Sequence, residues 1–394
     1  MFDPLPSAPD ATGSATLAKT DTTADVAIAG AGAAGAMAAL VLARSGHRVT
    51  LIDVHMEHPA EFRCEKITPH QYQLFEGLGL ASLLPQFATR IEAMDVVRGG
   101  RWRERIQSVE HGFLYQDFVN TLRRALPPGV RFVHGRIADI ETGPELQRVH
   151  LANGDVIQAR LAILATGLGH GLRQRLGIGR RMLHERLTLC LGFTIKPSAG
   201  EAFDFPALTH YAERTADGMA HVTFFPLGAT MRANLFAYRS PDDPFVAAMR
   251  EQPRETLFGV MPGLRRSLGN FEVEGKLQTR MIDLYVAEDY LKDGVLLIGD
   301  AFQTSCPAAG TGLAKALSDV GRLGALLPDF LATPGIAADK LRAFYDDPVK
   351  QASDASSSRA AAYTRQLATS TALPWRLRRL KKSLRGRMNA LVGD

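Results

Sequence analysis

The chain has 394 residues, 46% of them hydrophobic and 22% charged. That suffices for one or two packed cores and excludes a mainly disordered chain, a collagen-like repeat and a coiled coil. The formal net charge of +5 is concentrated in residues 374–394, where seven Arg and Lys face one acid, so the remainder is near neutral and carries no general nucleic-acid footprint.

Residues 1–22 are rich in Pro, Ser, Thr, Ala and Asp and read as a disordered leader without the basic start or apolar stretch of a signal peptide. From Ala24 a buried strand (DVAIAG), a helix ended by Gly46 and a second strand (RVTLID) make a βαβ unit, which demands a parallel sheet. FLYQDFVNTLRRAL (113–126) predicts a helix; RFVHGRIADIET, RVHLANG and VIQARLAILATG predict strands turning at Asn153-Gly154. Residues 187–240 read as an antiparallel sheet, and GVLLIGD (294–300) as another buried strand. Helices are expected from Gly312 onward, broken by Pro328, Pro334, Pro348 and the Ser-rich stretch 353–358. No apolar run reaches the roughly 18–20 residues of a membrane-spanning helix.

Cys64, Cys190 and Cys306 are odd in number and far apart, matching neither a disulfide framework nor zinc spacing, so a reducing cytosol is the simplest compartment. The pairs His55/His58 and His210/His221 lack metal-ligand spacing, and no metal is expected. No nucleophilic triad or G-x-S-x-G elbow appears.

Gly30-Ala31-Gly32-Ala33-Ala34-Gly35 lies between the first strand and its helix and fits G-x-G-x-x-G. Gly30 permits the tight turn, Gly32 the approach of a pyrophosphate, and Gly35 close helix packing. The helix N-terminus offers N–H groups to the phosphates, and Asp53, about 20 residues on, is placed for an adenosine ribose. The motif by itself leaves FAD and a nicotinamide dinucleotide both open.

Residues 294–322 read GVLLIGDAFQTSCPAAGTGLAKALSDVGR. A strand ending in Gly-Asp, followed by Pro-x-x-Gly-x-Gly opening a helix, resembles the FAD-dependent monooxygenases of the para-hydroxybenzoate hydroxylase group, a superfamily shared with flavin halogenases and geranylgeranyl reductases. The resemblance covers about residues 24–350. It implies FAD, with Asp300 bonding the ribityl hydroxyls, Pro307 near the reactive edge, and Gly310, Thr311 and Gly312 at the pyrimidine end. It also implies that Arg63 pairs with the pyrophosphate, that Glu65 bonds near the ring or orients Arg63, and that Phe224, Phe225 and Pro226 line the substrate cavity. Gln116 and the pair Thr166-Gly167 stand where relatives place further cofactor contacts. Two departures are plain: Thr166 occupies the aspartate position of an Asp-Gly pair, and Tyr115-Gln116 stand where an arginine is common. The Trp-x-Trp-x-Ile-Pro signature of halogenases is absent, since Trp102 and Trp375 are the only tryptophans.

The implied fold is α/β: a Rossmann-like FAD-binding domain (24–76, 106–178, 276–335) interrupted by a β-rich substrate domain (77–105, 179–275), with C-terminal helices and a basic tail (336–394). The implied activity is hydroxylation of an aromatic or conjugated organic small molecule with dioxygen and NAD(P)H as co-substrate, through a flavin hydroperoxide and with no catalytic side chain. An FAD-dependent reductase of the geranylgeranyl reductase type, and a flavin-containing accessory protein acting on a partner chain, are the alternatives. In the tail, Leu377, Leu380, Leu384, Met388 and Leu391 recur at helical spacing among the cations. Residues 374–391 therefore read either as a helix lying peripherally on an anionic membrane or as one packed with its leucines in the core and its cations solvated.

Overall fold

The computed structural model describes residues 23–198 and 202–392; the leader expected at 1–22 lies outside them. Two sheets face each other. The first contains β1 (Ala24–Ala29), β2 (Val49–Asp53), β6 (Arg131–His134), β7 (Ile137–Glu141), β8 (Gln147–Leu151), β9 (Val156–Leu164) and β15 (Val295–Leu297). Its order is β6-β2-β1-β9-β8-β7, with β15 beside the C-terminal half of β9. β1 pairs in parallel with β2 and β9, Ala27 lying opposite both Thr50 and Ala162. These strands are buried on both faces, which is why they read as unbroken apolar runs. α1 (Ala33–Arg44) supplies the right-handed crossover between β1 and β2.

The second sheet has the order β14 (Phe271–Glu288), β10 (Gly179–Pro197), β13 (Thr230–Ala237), β12 (Met219–Leu227), β11 (Leu208–Tyr211), β4 (Thr89–Arg98), β5 (Trp102–Gly112) and β3 (Lys66–Ile67). All pairings are antiparallel except β11 with β4. The expected boundaries at 105/106 and 275/276 fall inside β5 and β14, both of which belong wholly to this sheet. α5 (Pro244–Glu251), α6 (Pro253–Val260) and α7 (Leu264–Leu268) cover its outer face over a core that includes Phe193, Phe224 and Leu235.

The remaining helices are α2 (Pro69–Gly77), α3 (Tyr115–Arg124), which packs on α1, α4 (Gly171–Arg175), α8 (Gly312–Ala332), α9 (Ala338–Tyr345), α10 (Pro348–Thr369) and α11 (Leu373–Val392). Two expected breaks do not occur. α8 runs through Pro328, held by burial of Leu327 and Phe330 on either side. α10 runs through the Ser-rich stretch because those hydroxyls find partners: Ser357 Oγ bonds Ser305 Oγ at 3.1 Å, and Ser358 Oγ bonds the Asp354 carbonyl. α11 is packed on the protein, yet its described leucines face outward; the side chain of Leu391 lies outside the described residues. Leu377, Leu380, Leu384 and Met388 are all exposed, contrary to the packed alternative with leucines in the core.

Candidate functional site

A cavity of about 650 Å³ runs between the sheets, lined from the first by the glycine loop and from the second by β4 and β10–β14. The glycine loop is set by sterics. Gly30 has φ +98°, and a Cβ there would lie 2.7 Å from the Ala165 carbonyl oxygen. A Cβ on Gly35 would lie 1.9 Å from the Gly30 oxygen, whereas one on Gly32 would meet only the Tyr115 hydroxyl, at 3.7 Å. Two glycines are therefore demanded by the protein itself, while the space at Gly32 opens into the cavity at the start of α1. That open cradle at a helix N-terminus fits a pyrophosphate.

Asp53 closes β2 and borders the cavity. Its carboxylate accepts from the Ala31 N–H at 2.7 Å and the His55 N–H at 2.9 Å, and Arg123 lies 3.2 Å away. Arg123, on α3, also donates to the Ala31 and His55 carbonyls, so it clamps the glycine loop to the end of β2. Sequence reasoning missed Arg123; nothing in its local pattern sets it apart from Arg124.

Across the cavity, β15 ends in a turn at Gly299–Ala301 that presents Asp300. Buried charges hold this turn. Gly299 N–H donates to Asp319 at 2.8 Å; Asp319 pairs with Lys350 at 2.8 Å, both fully buried, and Lys350 also reaches Asp354. From the other side the fully buried Arg173 donates to the Ala301 carbonyl at 2.7 Å and the Tyr285 hydroxyl at 2.9 Å, and Tyr285 donates to the Asp300 carbonyl. Asp319 lies two helical turns after Gly312 on α8, a spacing that could have pointed to it; Lys350 carries no such signal.

Pro307, Gly310 and Gly312 line the cavity where α8 begins. The Gly310 carbonyl accepts from Gln71 of α2 at 2.9 Å. Cys306 borders the same stretch, fully buried, with Thr188 Oγ1 at 3.3 Å. Burial pushes the Cys64 thiol up to about 11 and raises Cys190 as well, so neither is an activated thiolate.

Arg63 sits between Glu61, at 2.9 Å, and Asp300, at 3.6 Å. Glu61, which also pairs with Arg280, is held far below the usual carboxylate range, since its bonds to His58, Arg63 and Arg280 outweigh its burial. Glu65 does not orient Arg63. It takes two bonds from Arg232 of β13, at 2.7 and 3.0 Å. Burial pushes the Glu65 carboxyl upward, and the Arg232 guanidinium opposes that push.

The residues foreseen around the flavin that line the cavity are Gly30, Gly32, Ala33, Ala34, Asp53, Arg63, Glu65, Thr166, Gly167, Asp300, Pro307, Gly310 and Gly312. The structure does not bring Gln116, Thr311 or Gly35 to it. Tyr115, one residue before Gln116, points to the glycine loop instead; Thr311 Oγ1 bonds Ser357 at 2.8 Å; and Gly35 serves packing.

The aromatic stretch of β12 is also displaced from the foreseen role. Phe224 faces the core beneath α5–α7, Phe225 packs on Gly112, Ile91 and Ala207, and Pro226 is likewise outside the lining. Alternation along the strand gives the cavity His221 and Thr223. They face Met94 and Val96 of β4, Thr209 and Tyr211 of β11, and Asn234 and Phe236 of β13. Lys66 enters from the side, paired with Glu110 at 2.7 Å. Burial, with the Lys66 charge added, pushes the His221 imidazole down to about 4, so the ring is neutral at pH 7. Its Nδ1 is buried with no hydrogen-bond partner among the described residues. Among the described residues no group of three His, Cys, Asp or Glu is placed to hold a metal.

A dinucleotide cradle across one sheet, continuous with a chamber on another, defines a flavoprotein of the class foreseen from the glycine motifs. The FAD binding domain family model matches residues 23–195 and 208–356, and the chain belongs to that family. It is 24% identical over 341 residues to squalene monooxygenase of Mus musculus, covering 81% of this chain and 57% of that one. It is 25% identical over 323 residues to 3-demethoxyubiquinol 3-hydroxylase of Escherichia coli (strain K12), covering 76% and 78%. The chain thus spans little more than half the length of the mouse relative. The p-nitrophenol 4-monooxygenase of Pseudomonas putida DLL-E4 superposes with TM-score 0.75 at 15% identity, covering 94% of this chain and 95% of that structure. At that identity the likeness shows the fold alone.

Proposed function

We propose that the protein is an FAD-dependent monooxygenase that hydroxylates an aromatic or conjugated organic molecule using dioxygen and NAD(P)H. The observation that carries this reading is the cavity that joins the Gly32 cradle and the Asp300 turn to a chamber in which Met94, Val96 and Phe236 stand among polar side chains such as Thr209, Thr223 and Asn234. Bound there, FAD supplies the redox chemistry that passes one oxygen atom to the substrate. The chain's residues would hold and shield it: the N-terminus of α1 would receive the pyrophosphate, Asp300 the ribityl hydroxyls, and the positive end of α8 would favour the pyrimidine side. Met94, Val96 and Phe236 exclude water from the chamber, which guards against loss of the oxidising equivalent as peroxide. His221 offers a neutral imidazole to hydrogen-bond an oxygen of the substrate, and it carries no imidazolium proton to deliver at pH 7. The described fold contains one G-x-G-x-x-G crossover and offers NAD(P)H no second one, so the nicotinamide visits transiently.

The test is anaerobic mixing of the holoprotein with NADH or NADPH across phenols, quinolones and polyketide-like aromatics, followed by oxygen uptake. The reading expects flavin bleaching accelerated by a substrate and oxygen consumption matched to hydroxylated product. Turnover of an organic substrate without oxygen would place the protein with the reductases instead. This reading leaves residues 374–391 without a role.

A further inference from the structure

α11 is docked on the protein by its less apolar side. Trp375 meets Tyr363 of α10 edge-on at 5.4 Å, Lys382 lies over the same Tyr363 ring at 4.9 Å, and Arg379 donates to the Leu367 carbonyl at 2.9 Å. Ser383 faces Gly99 at the β4–β5 turn. The opposite side carries Leu373, Leu377, Leu380, Leu384 and Met388, which are 49–67% exposed. At 100° per residue these five fall within one stripe about 80° wide. Among the described residues they are half of the ten large apolar side chains classed as exposed, gathered on one helix. A helix that only completed a core would turn this stripe inward.

Cations edge the stripe. Arg376 stands on one flank and Lys381 and Arg378 on the other, all exposed, and no Asp or Glu occurs between Leu373 and Val392. A second copy laid stripe to stripe would bring these positive rows together, whereas a surface of anionic headgroups over acyl chains complements both features. Beneath the helix lies a second cavity, of about 310 Å³, bordered by Arg379, Lys382 and Ser383 of the docked side and reached by Leu380 at the edge of the stripe. It shares Arg98, Tyr211 and His221 with the main chamber, so the region under α11 adjoins the substrate end of the site.

We propose that α11 is a membrane-surface helix: it lays its leucine stripe at the headgroup–acyl boundary of an anionic bilayer, with the flanking Arg and Lys on the headgroups. The docking stands independently of the monooxygenase reading, since it needs no turnover. The test is flotation of the full-chain holoprotein with phosphatidylcholine vesicles, with or without phosphatidylglycerol, at low and high salt, following flavin absorbance in each fraction. The protein should float with phosphatidylglycerol at low salt, and added salt should weaken binding. Leu377→Gln/Leu384→Gln, on the solvent side of the helix, should keep flavin content and lower vesicle affinity roughly tenfold or more. Wild-type protein that stays soluble with anionic vesicles would overturn the proposal, as would a double variant that binds equally well. A wild-type dimer that the double variant dissociates, with no vesicle binding, would assign the stripe to contact between copies. Flotation of a flavin-free fraction alongside would locate any failure in the cofactor site and not in α11.

Discussion

The two halves of the cavity are built differently. The flavin half is made of backbone: a glycine loop clamped by Arg123 and Asp53, a Gly-Asp turn held from behind by the buried Asp319, Lys350 and Arg173, and the starts of two helices. The substrate half is made of side chains, two or three from each of β4, β11, β12 and β13. A backbone cradle tolerates little change and serves one cofactor. A side-chain chamber can be relined residue by residue while the sheet that carries it stays the same.

That contrast is open to attack from the flavin side first. Lys350→Met leaves the buried Asp319 carboxylate without its cation and should cost about 3–5 kcal/mol, with flavin lost as the Gly299 turn loosens. Urea denaturation and flavin content check both effects together. Arg173→Met strands the Ala301 carbonyl and removes a bond from the Tyr285 hydroxyl, each worth about 1–3 kcal/mol when buried. Here weaker flavin binding should exceed any change in substrate preference.

The substrate half should respond in the opposite way. His221→Gln should leave flavin content unchanged and alter which substrates accelerate flavin reduction. It should also change the pH dependence of stability. The folded imidazole titrates at about 4, below the value of about 6.5 for a free ring, so the unfolded chain takes up the proton first. Stability from this group is complete above about pH 6.5 and is lost as the pH falls toward 4, an effect of about 1–3 kcal/mol. The glutamine variant should show a shallower acid decline in urea titrations. The smallest functional effect is expected at Phe224→Leu: about 1–2 kcal/mol in stability from the volume lost, with flavin reduction unchanged for every substrate, because that ring faces the core beneath α5–α7.

The same contrast explains what could be read in the sequence. Gly30, Gly32, Gly35, Asp300, Gly310 and Gly312 lie in two short windows, where turn sterics and a helix start fix the spacing locally. The chamber is a matter of register between strands far apart in the chain. On β12, the pairing of Phe224 with Ala233 and Leu208 turns its ring to the core, while His221 and Thr223 face the cavity. The run Phe224-Phe225-Pro226 therefore matches the family's strand end by resemblance without lining the cavity here. Arg123 and Lys350 were hidden for a similar reason: each acts through partners dozens of residues away. The stripe on α11 was legible as a stripe; which side of the helix meets the protein depended on Tyr363 and Gly99, supplied by α10 and the β4–β5 turn.

The central claim, that the glycine loop holds FAD and is not merely a packing turn, is tested most directly by comparing Gly32→Val with Gly35→Val. A side chain at Gly35 collides with the Gly30 carbonyl, so that variant should be destabilised as well as flavin-free. At Gly32 a Cβ would meet nothing nearer than the Tyr115 hydroxyl, at 3.7 Å, so the collision expected of a side chain there is with a pyrophosphate. Flavin affinity measured by fluorescence titration, beside urea denaturation of the flavin-free protein, separates the two. The account predicts a Gly32→Val protein as stable as wild-type apoprotein that has lost FAD affinity; a Gly32→Val protein that folds and binds FAD at wild-type affinity would contradict it.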